Sequence, residues 1–158
     1  MMPTATPTAA YIHRETLVSI VINTALTFAF FCLVFGLGRR VAVWGLGNFV
    51  FDFGPQAFMI ALMATLVPGA LARNALRKGL VAPWTGPSRL PAALALRALV
   101  MAALSALIAV GVIAALLSTT GWTMLSPPFA LLTKLAFAVV LAAIVTPPGL
   151  RAALSPRK

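Results

Sequence analysis

The sequence predicts an all-α polytopic membrane protein, four transmembrane helices in an up-down bundle, from three observations. Of its 158 residues, 61% are hydrophobic and only 9% charged, whereas soluble domains are about 25% charged. The apolar residues gather into four runs of membrane-spanning length, and the bases sit in the short segments between them. Finally, the small-residue spacing within the runs suits helices that pack closely in lipid.

Twelve Lys and Arg face two acids, Glu15 and Asp52, giving a formal net charge of +10. In a soluble chain such a balance would suggest nucleic acid. Here the bases flank apolar runs, where they attract anionic headgroups and set orientation, so no nucleic-acid partner is expected. Cys32, the only cysteine, lies within an apolar run and is expected to be a small packing residue. His13 has no second His, Cys or carboxylate at ligand spacing except Glu15, so neither a metal nor another cofactor is expected.

Residues 1–15 are expected to form a disordered cytoplasmic tail, since residues 1–10 carry two prolines, three threonines and three alanines without apolar periodicity. Residues 16–38 contain no charge and form the first span, because about 20 apolar residues at 1.5 Å rise cross a core of about 30 Å. A cleaved signal peptide has a shorter apolar region and an A-x-A-type end. This run ends in GLGRR and is expected to be retained. Its one strongly polar residue, Asn23, is a candidate for hydrogen bonding to a neighbouring helix. Phe28, Phe30, Phe31 and Phe35 cannot share one face at 100° per residue, so some of them meet lipid.

After Arg39 and Arg40, the segment VAVWGLGNFVFDF carries Gly45 and Gly47 and aromatics at alternate positions. Either a re-entrant, extended interfacial segment or a turn leading into the second helix fits residues 41–53. The second helix is placed at 53–73. Its small residues Ala57, Ala61, Thr65 and Gly69 recur at four-residue spacing, a ladder that lets helix backbones approach. Pro68 should kink or end it. Arg73, Arg77, Lys78 and Arg89 are candidate contacts to lipid headgroups.

Gly79, Pro83, Gly86, Pro87 and Pro91 make residues 79–91 a loop. The third helix, at 94–117, repeats the ladder with Ala98, Ala102, Ala106 and Ala114. The fourth helix runs over 127–146, closing a transmembrane domain of residues 16–150 and leaving a basic cytoplasmic tail at 151–158. TLVPGALARNAL resembles AIVTPPGLRAAL, and Trp44 precedes Pro68 much as Trp122 precedes Pro147. Two parallel helical hairpins related about the membrane normal would produce such an echo.

With four spans, both termini and the loop between the second and third helices share one side. That side carries Arg14, Arg73, Arg77, Lys78, Arg89, Arg97, Arg151, Arg157 and Lys158, against Arg39 and Arg40 opposite. The asymmetry predicts a multi-pass protein of the inner (plasma) membrane with both termini cytoplasmic.

No carboxylate pair, Ser-His-Asp set or phosphate-binding Gly loop is present, so no enzymatic activity is expected. Lys134 interrupts the fourth helix, where a central lysine costs about 2.5–3.5 kcal/mol to insert. If the second and fourth helices are registered on Pro68 and Pro147, Lys134 lies level with Gln56 and one turn deeper than Asp52. A lysine stem reaching outward would then meet Asp52. Asp52 and Lys134 are therefore a candidate intramembrane ion pair, and Gln56, with Asn23, a candidate polar packing residue. The alternative is a loop aspartate and a snorkelling lysine that never meet.

Two functions fit. One is a small structural or accessory membrane protein that packs against itself as a homo-oligomer, or against a larger membrane complex, within a bilayer containing anionic lipids. The other is a small oligomeric transporter or channel subunit using Asp52 and Lys134. The stretch from INTALTFAFF to VPGALAR faintly resembles short two-helix bacterial membrane proteins of unknown function, a likeness that implies no activity and no site residue.

Overall fold

The computed structural model describes residues 6–88 and 90–155. Of the residues named above, Arg89, Arg157 and Lys158 and residues 1–5 of the tail lie outside this range. The chain is all-α with a small strand pair: α1 Thr8–Val34, β1 Val41–Ala42, α2 Phe49–Arg77, α3 Leu94–Ser118, β2 Met124–Leu125 and α4 Pro127–Leu154. All four helices are long and apolar enough to cross a membrane.

α1 begins eight residues before the charge-free run, so 8–15 are helical rather than disordered. Tyr11 and Ile12 are the reason. Both are buried against Ala72, Val81, Leu150, Ala153 and Leu154 at the base-rich end of the bundle. Burying such side chains contributes about 1.5–3 kcal/mol each, enough to carry the helix through His13, Arg14 and Glu15 in its opening turns. Thr6 adds backbone bonds to Leu80 and Ala82. α1 ends four residues sooner than expected because Gly36, at φ 71°, turns back its N–H to the Phe31 carbonyl.

Residues 41–53 combine both arrangements that the sequence left open. β1 pairs antiparallel with β2, Val41 opposite Leu125 and Ala42 opposite Met124. The chain then turns through Gly45 and Gly47, both at positive φ, and enters α2 at Phe49, four residues before the expected start. This clasp joins the α1–α2 and α3–α4 connections at one end of the bundle. At the other end the Trp84 N–H donates to the Leu154 carbonyl, tying the α2–α3 loop to the end of α4. Successive helices therefore alternate in direction.

Neither Pro68 nor Pro147 terminates its helix. α2 continues to Arg77 and α4 to Leu154, because Ala72, Leu150, Ala153 and Leu154 are still buried beyond the prolines. At 1.5 Å per residue, the 29 residues of α2 span about 43 Å and so overrun the hydrocarbon core. The tail expected at 151–158 is accordingly helical as far as Leu154.

α2 and α4 form the central pair, with α3 laid against α2 and α1 against α4. Contact between α1 and α2, and between α3 and α4, is slight, so neither sequence hairpin packs on itself. Exchanging the two halves of the chain would map the α1–α4 contact onto α3–α2 and leave α2–α4 and β1–β2 paired with themselves. The small-residue ladders build this centre. Ala57, Ala61, Thr65 and Gly69 are all buried in α2, as are Ala98 and Ala102 in α3 and Ala138 and Ala142 in α4. Ala106 and Ala114 are only partly buried. Those ladders serve packing inside the chain, while large apolar side chains such as Val21, Phe30 and Leu33 of α1 and Leu104, Leu107 and Ile108 of α3 face outward.

Candidate functional site

The structure brings Asp52, Gln56 and Lys134 together where α2 and α4 pass each other. Lys134 Nζ lies 2.7 Å from Asp52 Oδ2 and 3.0 Å from Gln56 Oε1. Lys134 is 2% exposed, whereas the Asp52 side chain retains 28% of its accessible surface. The proline register accounts for the meeting: Gln56 Nε2 donates to the Lys134 backbone carbonyl at 3.3 Å, which puts the two residues level, and Asp52 stands one turn further out.

Aromatic faces complete the surroundings of the ammonium. Nζ lies 4.0 Å from the ring centre of Phe53, 5.2 Å from Phe49 and 5.7 Å from Phe35. Phe49, Phe53 and Phe137 stack edge to face and exclude water from one flank of the pair. Ring quadrupoles attract a cation more strongly once it is desolvated. The orientation of the Gln56 amide is fixed by chemistry, since an ammonium can only donate and must therefore meet the oxygen. The period-two aromatics at Phe49, Phe51 and Phe53 thus become helical, with Phe49 and Phe53 one turn apart on the face that holds Lys134.

A cleft of about 200 Å³ opens beside this group, between α1 and α2, where those helices barely touch. Asn23, Thr27, Asp52, Gln56 and Lys134 contribute its polar surface, and Phe30, Met59 and Met63 belong to its apolar walls. Gln56 Nε2 also reaches Thr27 Oγ1 at 3.4 Å, the only hydrogen bond among the described residues that links this group to α1.

Asn23 behaves differently from the expectation. Its amide donates within its own helix, to the Ser19 carbonyl at 2.8 Å and to Ser19 Oγ at 3.3 Å. Ser19 makes the crossing instead, through Thr146 Oγ1 of α4 at 3.0 Å. The i, i+4 spacing of Ser19 and Asn23 is visible in the sequence, but its pairing with Thr146 depends on the α1–α4 contact, which adjacency in the chain does not suggest.

Among the headgroup candidates, Arg77 and Lys78 are exposed at the base-rich end, and Arg73 donates to the Ala92 carbonyl. Arg97, which the sequence marked only as one of the bases on that side, is fully buried. It donates from Nη1 to the Pro91 carbonyl at 3.2 Å, while its Nε and Nη2 have no hydrogen-bond partner among the described residues. Its guanidinium lies beside Gly69, where a Cβ would meet Leu94 Cδ1 at 2.7 Å and stand 3.8 Å from Arg97 Nη2, and nothing in the sequence marked that burial.

The chain matches no known protein family, and neither a curated protein nor a solved structure resembles it.

Proposed function

We propose that this chain is a small inner-membrane protein of structural or accessory type, with both termini cytoplasmic, that assembles with itself or with a larger membrane complex. On this reading the Asp52–Lys134 pair is a tie between α2 and α4 and not a reaction centre. The observation that carries it is the saturation of the Lys134 ammonium by groups of its own chain: Asp52, Gln56 and the Phe53 ring. A cation so enclosed leaves little capacity for a substrate. Because the small-residue ladders are consumed internally, a partner would meet the outward face of α1 or α3, where Leu107 and Ile108 are among the most exposed side chains.

Native purification in mild detergent, with mass determination and identification of copurifying chains, tests the assignment. A homo-oligomer or a defined complex that persists when Asp52 and Lys134 are replaced together by Leu and Met is expected. A monomer without protein partners would overturn it.

The cleft beside the pair favours a second reading, a subunit of an oligomeric transporter or channel. Asp52 is partly exposed, and the cleft opens sideways between α1 and α2. This alternative requires the Asp52, Lys134 double replacement to abolish movement of a solute while leaving assembly intact.

A further inference from the structure

The base-rich end of the bundle holds a cavity of about 1090 Å³ bounded by the end of α2, the α2–α3 loop, the start of α3 and the end of α4. Arg73 and Arg77 line it from α2, and Trp84 lines it from the loop. Ala92, Ala93 and Ala153 form part of its wall, and Arg97 stands behind that wall without lining the cavity: its backbone N–H donates to the Ala93 carbonyl, and its guanidinium and Ala153 both flank Gly69. Behind that wall the Arg97 guanidinium sits between the Pro91 carbonyl and Gly69, fully buried and with two of its nitrogens unpartnered among the described residues.

Neither side-chain carboxylate of the chain serves this charge. The only acids are Glu15 and Asp52, and they pair with Arg14 and Lys134. A buried guanidinium without a counterion is strongly unfavourable, and it becomes acceptable when an anion occupies the neighbouring space. Planar arginine forks bind phosphate oxygens in pairs. The cavity is open on one side, so a phosphate held there can be carried on a larger body. Its place at the helix ends is also the depth at which phosphates of a bilayer lie.

We propose that this cavity binds a phosphate monoester, with Arg73 and Arg77 contacting its oxygens and Arg97 supplying charge from behind the wall. The shared chemistry fits two sources, a phosphatidic acid headgroup and a soluble phosphomonoester. The proposal is independent of the role assigned to Asp52 and Lys134.

The test uses the full-length protein in nanodiscs of phosphatidylcholine alone, or containing phosphatidylglycerol or phosphatidic acid, with glycerol 3-phosphate titrated separately. Native mass spectrometry reads retained lipid, and thermal unfolding reads stabilisation. Phosphatidic acid should be retained about tenfold over phosphatidylglycerol, and Arg73→Gln/Arg77→Gln should remove that preference. Saturable stabilisation by glycerol 3-phosphate identifies the soluble source, and its absence alongside phosphatidic acid retention identifies the lipid. Arg97→Met separates this role from a purely structural one. In phosphatidylcholine alone it should be at least as stable as the parent, because a buried charge is gone, and it should lose the stabilisation by phosphate. Equal retention of phosphatidic acid and phosphatidylglycerol without an effect of glycerol 3-phosphate, or an unchanged preference in the Arg73→Gln/Arg77→Gln variant, would overturn the proposal.

Discussion

Gln56 holds Lys134 at both ends: its Oε1 accepts from the ammonium at 3.0 Å, and its Nε2 donates to the backbone carbonyl of the same lysine at 3.3 Å. One side chain on α2 therefore fixes both the height of α4 and the direction of the lysine stem. Asp52 adds charge to a geometry that Gln56 has already set.

The pair should be coupled. In a cycle through Asp52→Asn and Lys134→Met, removing Asp52 alone should destabilise more than removing both residues, because a buried ammonium would lose its counterion. Partial exposure of Asp52 limits the coupling to about 1 kcal/mol. Unfolding of all four proteins in the same detergent measures it, and strictly additive effects would show the residues to be independent.

Gln56→Leu should cost about 1–2 kcal/mol, since it removes one of the acceptors of the buried Lys134 ammonium and the side-chain donor to the Lys134 carbonyl. Gln56→Glu keeps the acceptor but loses the donor to the Lys134 carbonyl and places a second carboxylate beside Asp52. Its stability should fall between parent and Gln56→Leu near neutral pH. Equal stability of all three would remove Gln56 from the tie.

Ala102 is fully buried in α3, Ala106 partly, and Leu99 is 51% exposed. Ala102→Leu should therefore lower thermal stability most, by about 1–3 kcal/mol of overpacking, with Ala106→Leu next and Leu99→Ala least. The loss should appear in the monomer, since the ladder packs within one chain. An unchanged melting temperature for Ala102→Leu would contradict this placement.

Topology can be read with single cysteines in a Cys32→Ser background. Leu46→Cys lies in the exposed turn after β1 and Lys78→Cys at the end of α2, at opposite ends of the bundle. An impermeant maleimide applied to intact cells should label position 46 and spare position 78. The reverse pattern would place the termini outside.

The four spans were legible because apolar length is a local property of the sequence, and the meeting of Lys134 with Asp52 was legible because Pro68 and Pro147 offered a register. Helix ends were misplaced where tertiary burial outweighed local breakers. Tyr11 and Ile12 extend α1 through three ionisable residues, and Leu150 and Leu154 carry α4 past two prolines. The clasp at Val41 and Leu125 was hidden for a different reason. Two-residue strands have no periodicity of their own, and these pair across 84 positions of sequence. The burial of Arg97 was equally hidden, since a base at the start of a span ordinarily reads as an interfacial anchor.

The crossed pairing of the helices bears on how the protein is made. α1 leans on α4 and only slightly on α2, so the first two spans enter the bilayer without the partner that will hold α1 in place. Asp52 and Gln56 arrive with them and must wait for Lys134, which the ribosome supplies 82 residues after Asp52. At about 5–20 residues per second, that interval is several seconds of exposure for a carboxylate near hydrocarbon. α4 is the keystone of biosynthesis: a nascent chain that stops short of it holds α2 and α3 packed together, α1 with only slight contact to them, and an acid with no base to meet.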